Sequence, residues 1–404
     1  MTPTLVLKIT RAAAETRSFE RAATVMNDVA GVAVSAKTIE RVVHDVGGEL
    51  AERRDADPRT DRAMAQAPES PPQLAVVECD GGRIRTREPG HGPGVHLAGE
   101  GWREDKNACL IRALRTTSAD DPQGEPPECF CDPKHAARIA ETEALSLAAP
   151  VPKRPAATSD DGTPAAVDAG AWRPKRLVRT VLSSVAEAKV FGGQMAREAK
   201  RRRFFDAEAK AFLGDGLAWN WSIWKKHFPD FTPVLDFIHV LSYLFVAAKA
   251  VHPAADDAWD QYLAWMRGCW RGEVAQVLEE LRHRQAALGL PPADAPDADP
   301  RKVVAKTITY LENNQTRMGY PEYRRQGLPV TTAWMESLVK DINYRAKGTE
   351  MFWNDPEGAE AILQVRAAAL SDDDRLTRHL RSRLGCPFTR RPQSSSLSAP
   401  GIRS

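Results

Sequence analysis

The sequence predicts an α/β protein with one helical block ahead of its sheet and a second set inside it, on three observations. Residues 74–79 (LAVVEC) are an apolar, β-branched run that stops at Asp80 and Gly81-Gly82, the composition and punctuation of a buried strand. Residues 211–251 read as strand, carboxylate, helix, strand, helix. That alternation favours parallel strands, with sites gathered at their carboxyl ends. Residues 5–50 and 254–320 carry helical spacing.

In the first block, residues 19–26 form a short helix and GVAV (31–34) a turn. A second helix starts at Ser35, a good N-cap, and places Ile39, Val42, Val43 and Val46 on one face. It is expected to stop at Gly47-Gly48. Two short helices about a glycine-containing turn suit a helix-turn-helix, whose second helix presents Ser35, Lys37, Thr38 and Arg41. Lys37 and Arg41 are therefore candidate DNA contacts. Residues 51–72, rich in Arg, Asp, Ala and Pro, read as a linker.

The Gly81-Gly82 pair is expected to turn the next strand into a hairpin returning through Ile84, which puts Asp80 at a strand end. A carboxylate held there by rigid backbone suits a metal ligand or a catalytic acid. The charged segment 99–107 (GEGWREDKN) reads as a turn, 108–114 as a strand, 129–133 (CFCDP) as a loop and 134–147 as a helix. Residues 148–175, dominated by Ala, Pro, Asp and Thr, are too poor in apolar surface to order themselves and are expected to be a disordered insertion. A strand at 177–185 and a helix at 187–203 with a basic end follow.

Asp215 stands between Gly214 and Gly216 at the end of the strand 211–213. Leu217, Trp221 and Trp224, spaced i, i+4, i+7, are expected to form the buried face of the helix after it. Trp259, Tyr262, Leu263 and Met266 read as a core stripe. In residues 329–348 Thr331 or Thr332 can cap a helix, and Met335, Leu338, Val339 and Ile342 form its apolar stripe. Glu336, Lys340, Asn343 and Lys347 form a separate polar stripe on that helix. The tail after Asp374 is basic, with a Ser-rich end.

Composition narrows the function classes. A net charge of +2 over 404 residues gives no global signature of nucleic-acid binding, so any such role rests on local patches. Six scattered cysteines without a CxxC pair argue against a zinc ribbon and a disulfide scaffold, and fit a reducing compartment. Residues 235–251 are too short and too polar to span a bilayer, and no signal peptide is readable, so a cytosolic protein is expected.

Asp80, Asp215 and Glu336 can converge although they are far apart in sequence. Three converging carboxylates repel one another, and a pair of divalent cations relieves the repulsion. Two such ions about 3.5 to 4 Å apart activate a water or hydroxyl and stabilise the leaving oxygen in phosphodiester displacement. Carboxylates suit Mg²⁺ better than zinc.

Five strings, VECDGGRIRTR, GEGWREDKN, LGDGLAWNW, HFPDFTPVLDFIHVLSYL and GLPVTTAWMESLVKDINYRAKGTEMFW, resemble, in the same order, the blocks of bacterial insertion-sequence transposases of the DDE class. The resemblance covers most of residues 73–353. It implies a ribonuclease H-like core with a mixed sheet and an all-helical insertion, preceded by a small helix-turn-helix-like domain. The implied division is 1–50 for that domain, 51–72 linker, 73–253 first part of the core, 254–320 helical insertion, 321–372 the terminal Glu helix and 373–404 a basic, partly disordered tail. Asp80, Asp215 and Glu336 match the catalytic triad and would ligate two Mg²⁺ ions, with Mn²⁺ a possible substitute. His239 matches a histidine that shapes the site or contacts DNA, and Arg83, Lys340, Asn343 and Lys347 are candidates for holding the DNA backbone.

The implied partner is double-stranded DNA, both element ends and target, bound by a homo-oligomer in the bacterial nucleoid without a membrane. One departure is TTAWM before Glu336, where many relatives have small, hydroxyl-rich residues. Two alternatives use the same features: a non-catalytic DNA-binding repressor derived from a transposase, and a ribonuclease H-like nuclease without strand transfer.

Overall fold

The computed structural model describes residues 1–56, 70–86, 102–147, 173–347, 352–354 and 356–383. Most of the expected insertion at 148–175 and the Ser-rich end lie outside the described residues. Five strands form one mixed sheet: β1 (Leu74–Arg85), β2 (Trp102–Leu114), β3 (Lys175–Ser184), β4 (Ala209–Gly214) and β5 (Thr232–Leu235). Their order is β3-β2-β1-β4-β5. The β1–β2 and β2–β3 pairs are antiparallel, and the β1–β4 and β4–β5 pairs parallel. The sheet order therefore changes direction at β1, with β2 and β3 to one side and β4 and β5 to the other. In open α/β sheets a crevice forms outside the carboxyl ends of strands at such a point.

Gly81-Gly82 does not turn the chain. β1 runs through both glycines to Arg85, because the charged run expected to be a turn is itself strand: Gly81 pairs with Lys106 and Gly82 with Asp105. A Cβ on Gly82 would lie 2.6 Å from Asp105 Oδ1, so the glycine makes room for a neighbour's carboxylate. Sequence composition alone shows glycines as turn formers and charges as loop formers. Here each accommodates the other.

One sheet face carries Leu74, Val76, Cys109, Ile111, Ala211 and Leu213 and is covered by α4 (Pro133–Leu147), α7 (Phe237–Val251) and α12 (Ala333–Ala346). α8 (Ala255–Trp270), α9 (Val274–Leu288), α10 (Pro300–Asn314) and α11 (Tyr320–Arg325) extend this core away from the sheet; of the predicted stripe Tyr262 and Met266 are buried in it, beside Trp265, and Trp259 and Leu263 are half-buried against it. The other face carries Ala75, Val77, Ala108 and Leu110 under α5 (Ala188–Arg201) and α6 (Ala218–His227). Each wholly buried Val or Leu contributes about 1.5–3 kcal/mol.

α1 (Pro3–Glu15), α2 (Phe19–Ala30) and α3 (Ala36–Asp55) share a third core with α13 (Pro356–Leu370) and α14 (Arg375–Ser382). Ser18 and Ser35 cap α2 and α3 by accepting N–H bonds of 3.1 and 3.2 Å, and Gly31 ends α2 in the left-handed region. α3 does not stop at Gly47-Gly48. A Cβ on Gly47 would lie 2.3 Å from the Ala361 carbonyl oxygen, so the glycine lets α3 and α13 cross in close contact. That packing holds both glycines helical against a propensity cost of about 1 kcal/mol each.

A buried ionic cluster joins α5 to the chain before α14. Glu198 pairs with Arg202 at 2.8 Å and with Arg375 at 2.7 Å, and Arg375 also holds Asp373 at 2.9 Å. Burial alone would raise the Glu198 and Asp373 pKa values, but Arg375 and Arg202 outweigh it and hold both well below the usual carboxylate range. A carboxylate with a depressed folded-state pKa stabilises above its unfolded pKa of about 4.3 and loses that contribution as pH falls further. Stability from this cluster is therefore full at neutral pH and lost in acid. Denaturant midpoints measured from pH 7 to 3 are expected to fall less steeply for Glu198→Gln than for the parent chain. Glu198→Ala, which leaves buried guanidinium groups unpaired, is expected to cost about 3–5 kcal/mol.

Candidate functional site

The parallel pairing of β1 with β4 ends at Glu78 and Leu213. Two residues further along each strand stand Asp80 and Asp215. Asp80 is thus within β1, not at its end, but it lies just past the last β4 partner, while Asp215 follows β4 directly. Side chains alternate along a strand, so Asp80 shares a face with Val76, and Asp215 with Ala211 and Leu213. This is the face that α12 covers. Charge reports the same neighbourhood: burial pushes the Cys79 thiol well up, and Asp215 and then Asp80 push it further.

The Asp215 loop is held from two sides. Asp215 Oδ1 accepts the Leu217 N–H at 2.8 Å and a bond from Asn220 Nδ2, and Asn220 Oδ1 takes the Cys79 thiol at 3.5 Å. The Tyr310 hydroxyl donates to the Asp215 backbone carbonyl at 2.8 Å, and its ring stacks on Tyr243 at 3.8 Å. Both glycines around Asp215 follow from these contacts. A Cβ on Gly214 would meet the Asn220 side chain at 3.0 Å, and one on Gly216, at φ +101°, would meet Tyr310 at 2.6 Å. Asn220 and Tyr310 carry no sequence signal of this role, since neither is near Asp215 in a recognisable pattern.

α12 lies along β1 and β2. At its start the Cys109 thiol is 3.9 Å from the Trp334 carbonyl oxygen, and Cys109 pairs with Glu78. At its other end Lys347 interacts with Asp105, the partner of Gly82, and with Arg83. Glu336 follows Trp334 by two residues, ~3 Å along the helix. The Glu336 side chain lies outside the described residues. Trp334, the bulky departure noted in the sequence, is buried in the main core.

Asp236 was not singled out from the sequence. It is wholly buried at the end of β5, accepts the Thr332 N–H at 2.8 Å immediately before α12, and caps α7 through the Ile238 and His239 N–H groups. His239 Nδ1 lies 2.6 Å from Asp236 Oδ2, so this histidine sits in the framework that positions α12. The available signal was a carboxylate following a strand and opening a helix.

The predicted DNA contacts fall into separate groups. Arg83 and Lys347 meet beside Asp105, where burial lowers the Lys347 pKa, Asp105 opposes and Arg83 reinforces the shift. Asp105 is itself wholly buried, which raises its pKa, and it accepts a 2.8 Å bond from Asn107. Lys340 is exposed on α12 and acts electrostatically on His135 of α4, while Asn343 is half-buried. Lys37 and Arg41 stand apart on the exposed face of α3, Lys37 pairing with Glu40 at 3.0 Å.

Among the described residues, which do not include the Glu336 side chain, no group of three or more His, Cys, Asp or Glu side chains closes into a metal-holding arrangement. The donors present suit Mg²⁺: Asp80 and Asp215 carry hard carboxylate oxygens on one face, each two residues past the last β1–β4 pair. Among the described residues no helix is long and apolar enough to cross a membrane.

No protein-family model matches the sequence, and neither does any curated protein. Among solved structures, the Drosophila P element transposase strand transfer complex aligns over 88% of this chain and 96% of that chain, at 7% identity and a TM-score of 0.28. An overlap that loose does not define a shared fold. The functional reading therefore rests on the chain's own residues.

Proposed function

We propose that the chain is a DDE-class transposase with a ribonuclease H-like core, cleaving DNA at element ends and joining them to a target. The observation that carries this reading is the β1–β4 register, which brings Asp80 abreast of Asp215 on the face crossed by the Glu336 helix. The mixed sheet and the five sequence blocks support the same reading.

Asp80, Asp215 and Glu336 would hold two Mg²⁺ ions, which when bound supply an activated water or 3′-hydroxyl and charge relief at the leaving oxygen. The chain's own part is positioning. Asn220 and the Leu217 N–H hold one Asp215 oxygen, Tyr310 fixes the backbone beneath it, and Asp236 anchors the start of α12. Arg83, Lys340 and Lys347 would bind backbone phosphates without reading sequence, and α3, with Lys37 and Arg41, would meet the element ends. The active species on DNA would be a homo-oligomer that pairs two ends.

Purified chain, an end-bearing duplex and a supercoiled target plasmid, incubated with Mg²⁺ or with EDTA, test the reading. Metal-dependent joining of the duplex to the plasmid is expected. Nicking without joining would point to a nuclease, and binding without nicking to a repressor.

A further inference from the structure

α6 does not bury the face its spacing predicts. Leu217 is 40% exposed, Trp221 and Trp224 are half-buried, and the residues turned into the core are Asn220 and Ile223. What covers the tryptophans is Arg317, whose guanidinium carbon lies 4.3 Å from the Trp221 ring centre and 6.0 Å from that of Trp224. We propose that Arg317, held on this indole shelf, binds a backbone phosphate of the DNA strand running past Asp215. The inference rests on the reading of the chain as a DNA-cleaving enzyme.

Arg317 is paired differently from its neighbours. Arg271, Arg282, Arg301, Arg324 and Arg325 each hold a carboxylate: Glu125, Glu312, Asp299, Asp121 and Glu322. Among the described residues Arg317 holds none; its Nη1 donates to the Asn313 carbonyl at 2.9 Å and to Asn314 Oδ1 at 3.2 Å. Those bonds and the indole faces fix the guanidinium plane and leave its remaining N–H groups for an acceptor. A planar, weakly hydrated and already immobilised guanidinium suits phosphate, because little side-chain freedom is left to lose on binding. Lys225, one helical turn beyond Trp221, adds an exposed positive charge on α6.

The shelf is wired to the site. Tyr310, bonded to the Asp215 carbonyl, accepts through its own backbone carbonyl a 2.9 Å bond from Asn314, and Asn314 Oδ1 receives Arg317. Arg317 is seven residues past Tyr310, in the short turn that follows α10. A phosphate contact of this kind adds affinity evenly across sequences and touches no reacting atom.

Full-length parent, Arg317→Ala and Arg317→Lys chains would be titrated with a fluorescent end-bearing duplex from 50 to 200 mM KCl, with thermal melts alongside. For Arg317→Ala the slope of log K against log salt is expected to be shallower by about 0.9, with affinity down roughly 3- to 10-fold. Arg317→Lys, which keeps the charge and loses the stacked plane, is expected to keep the slope and bind less tightly, and it serves as the measurement if the alanine chain melts early. An unchanged slope and affinity in both variants would overturn the phosphate contact while leaving the enzyme reading intact. Tighter single-strand binding by Arg317→Ala, with quenched tryptophan fluorescence, would overturn it in favour of base stacking on the bared indoles. A parent chain that binds no duplex at any salt would overturn both readings.

Discussion

Asp215→Asn is expected to reduce Mg²⁺-dependent nicking of an end-bearing duplex by about 10³-fold or more while DNA binding persists. The asparagine keeps an oxygen for the Leu217 N–H and for Asn220, and it leaves the Tyr310 bond to the backbone untouched. The loop therefore retains its shape, and only the negative charge is lost. Melting temperature should stay within a few degrees of the parent, so a fall in nicking would report on chemistry and not on folding. Asp80→Asn should behave likewise, since the Gly81 N–H that lies 2.6 Å from Asp80 Oδ1 can still bond an amide oxygen. Nicking retained within ten-fold in both variants would place the chemistry elsewhere.

Asp236→Ala is expected to have the larger effect on stability. The carboxylate is wholly buried and serves three backbone N–H groups, on α7 and ahead of α12, together with His239 Nδ1. Each buried donor left without an acceptor costs about 1–3 kcal/mol. Allowing for relaxation, the total is about 3–5 kcal/mol, or roughly a 10 °C fall in melting temperature for a chain of this size. Nicking should fall further than binding, because the lost Thr332 bond frees the start of the helix that carries Glu336. Asp236→Asn keeps one acceptor oxygen but turns its amide N–H groups either toward His239 or toward the Thr332 N–H, where donor meets donor, and should fall between the parent and Asp236→Ala. Thermal melts and nicking assays on the three chains check this order, and a melting temperature within 2 °C of the parent for the alanine chain would contradict it.

What the sequence made legible was local. The apolar run before Asp80 announces a strand, the glycines around Asp215 the end of one and the stripe of α12 a helix, each from neighbouring residues alone. What it hid depended on partners far along the chain. Gly81-Gly82 looks like a turn until Asp105 is seen to need the space, and Gly47-Gly48 looks like a helix end until Ala361 is seen against it. Leu217, Trp221 and Trp224 have the spacing of a core face, but Leu217 is exposed, the tryptophans are only half-buried, between the core and Arg317 from beyond α10, and the wholly buried residues are Asn220 and Ile223. Tyr310 acts through a bond to distant backbone, Asn220 through the Asp215 carboxylate and the Cys79 thiol, and Asp236 through the far-off Thr332 N–H, contacts that no periodicity records.

The third core closes the chain's first described helices with its last. Val6, Ile9, Val42 and Val46 complete their packing only against Ile362, Val365, Leu376 and Leu380. During synthesis at ~5–20 residues per second, the leading helices wait on the order of tens of seconds for those partners to leave the ribosome. Over that interval their apolar faces stay bare, so the segment that would meet element ends matures only once the carboxylate face downstream has been made. A chain cut short before α13 would carry α1 to α3 without the surface they pack on, and a fragment lacking the cleavage residues could not compete as a well-folded binder.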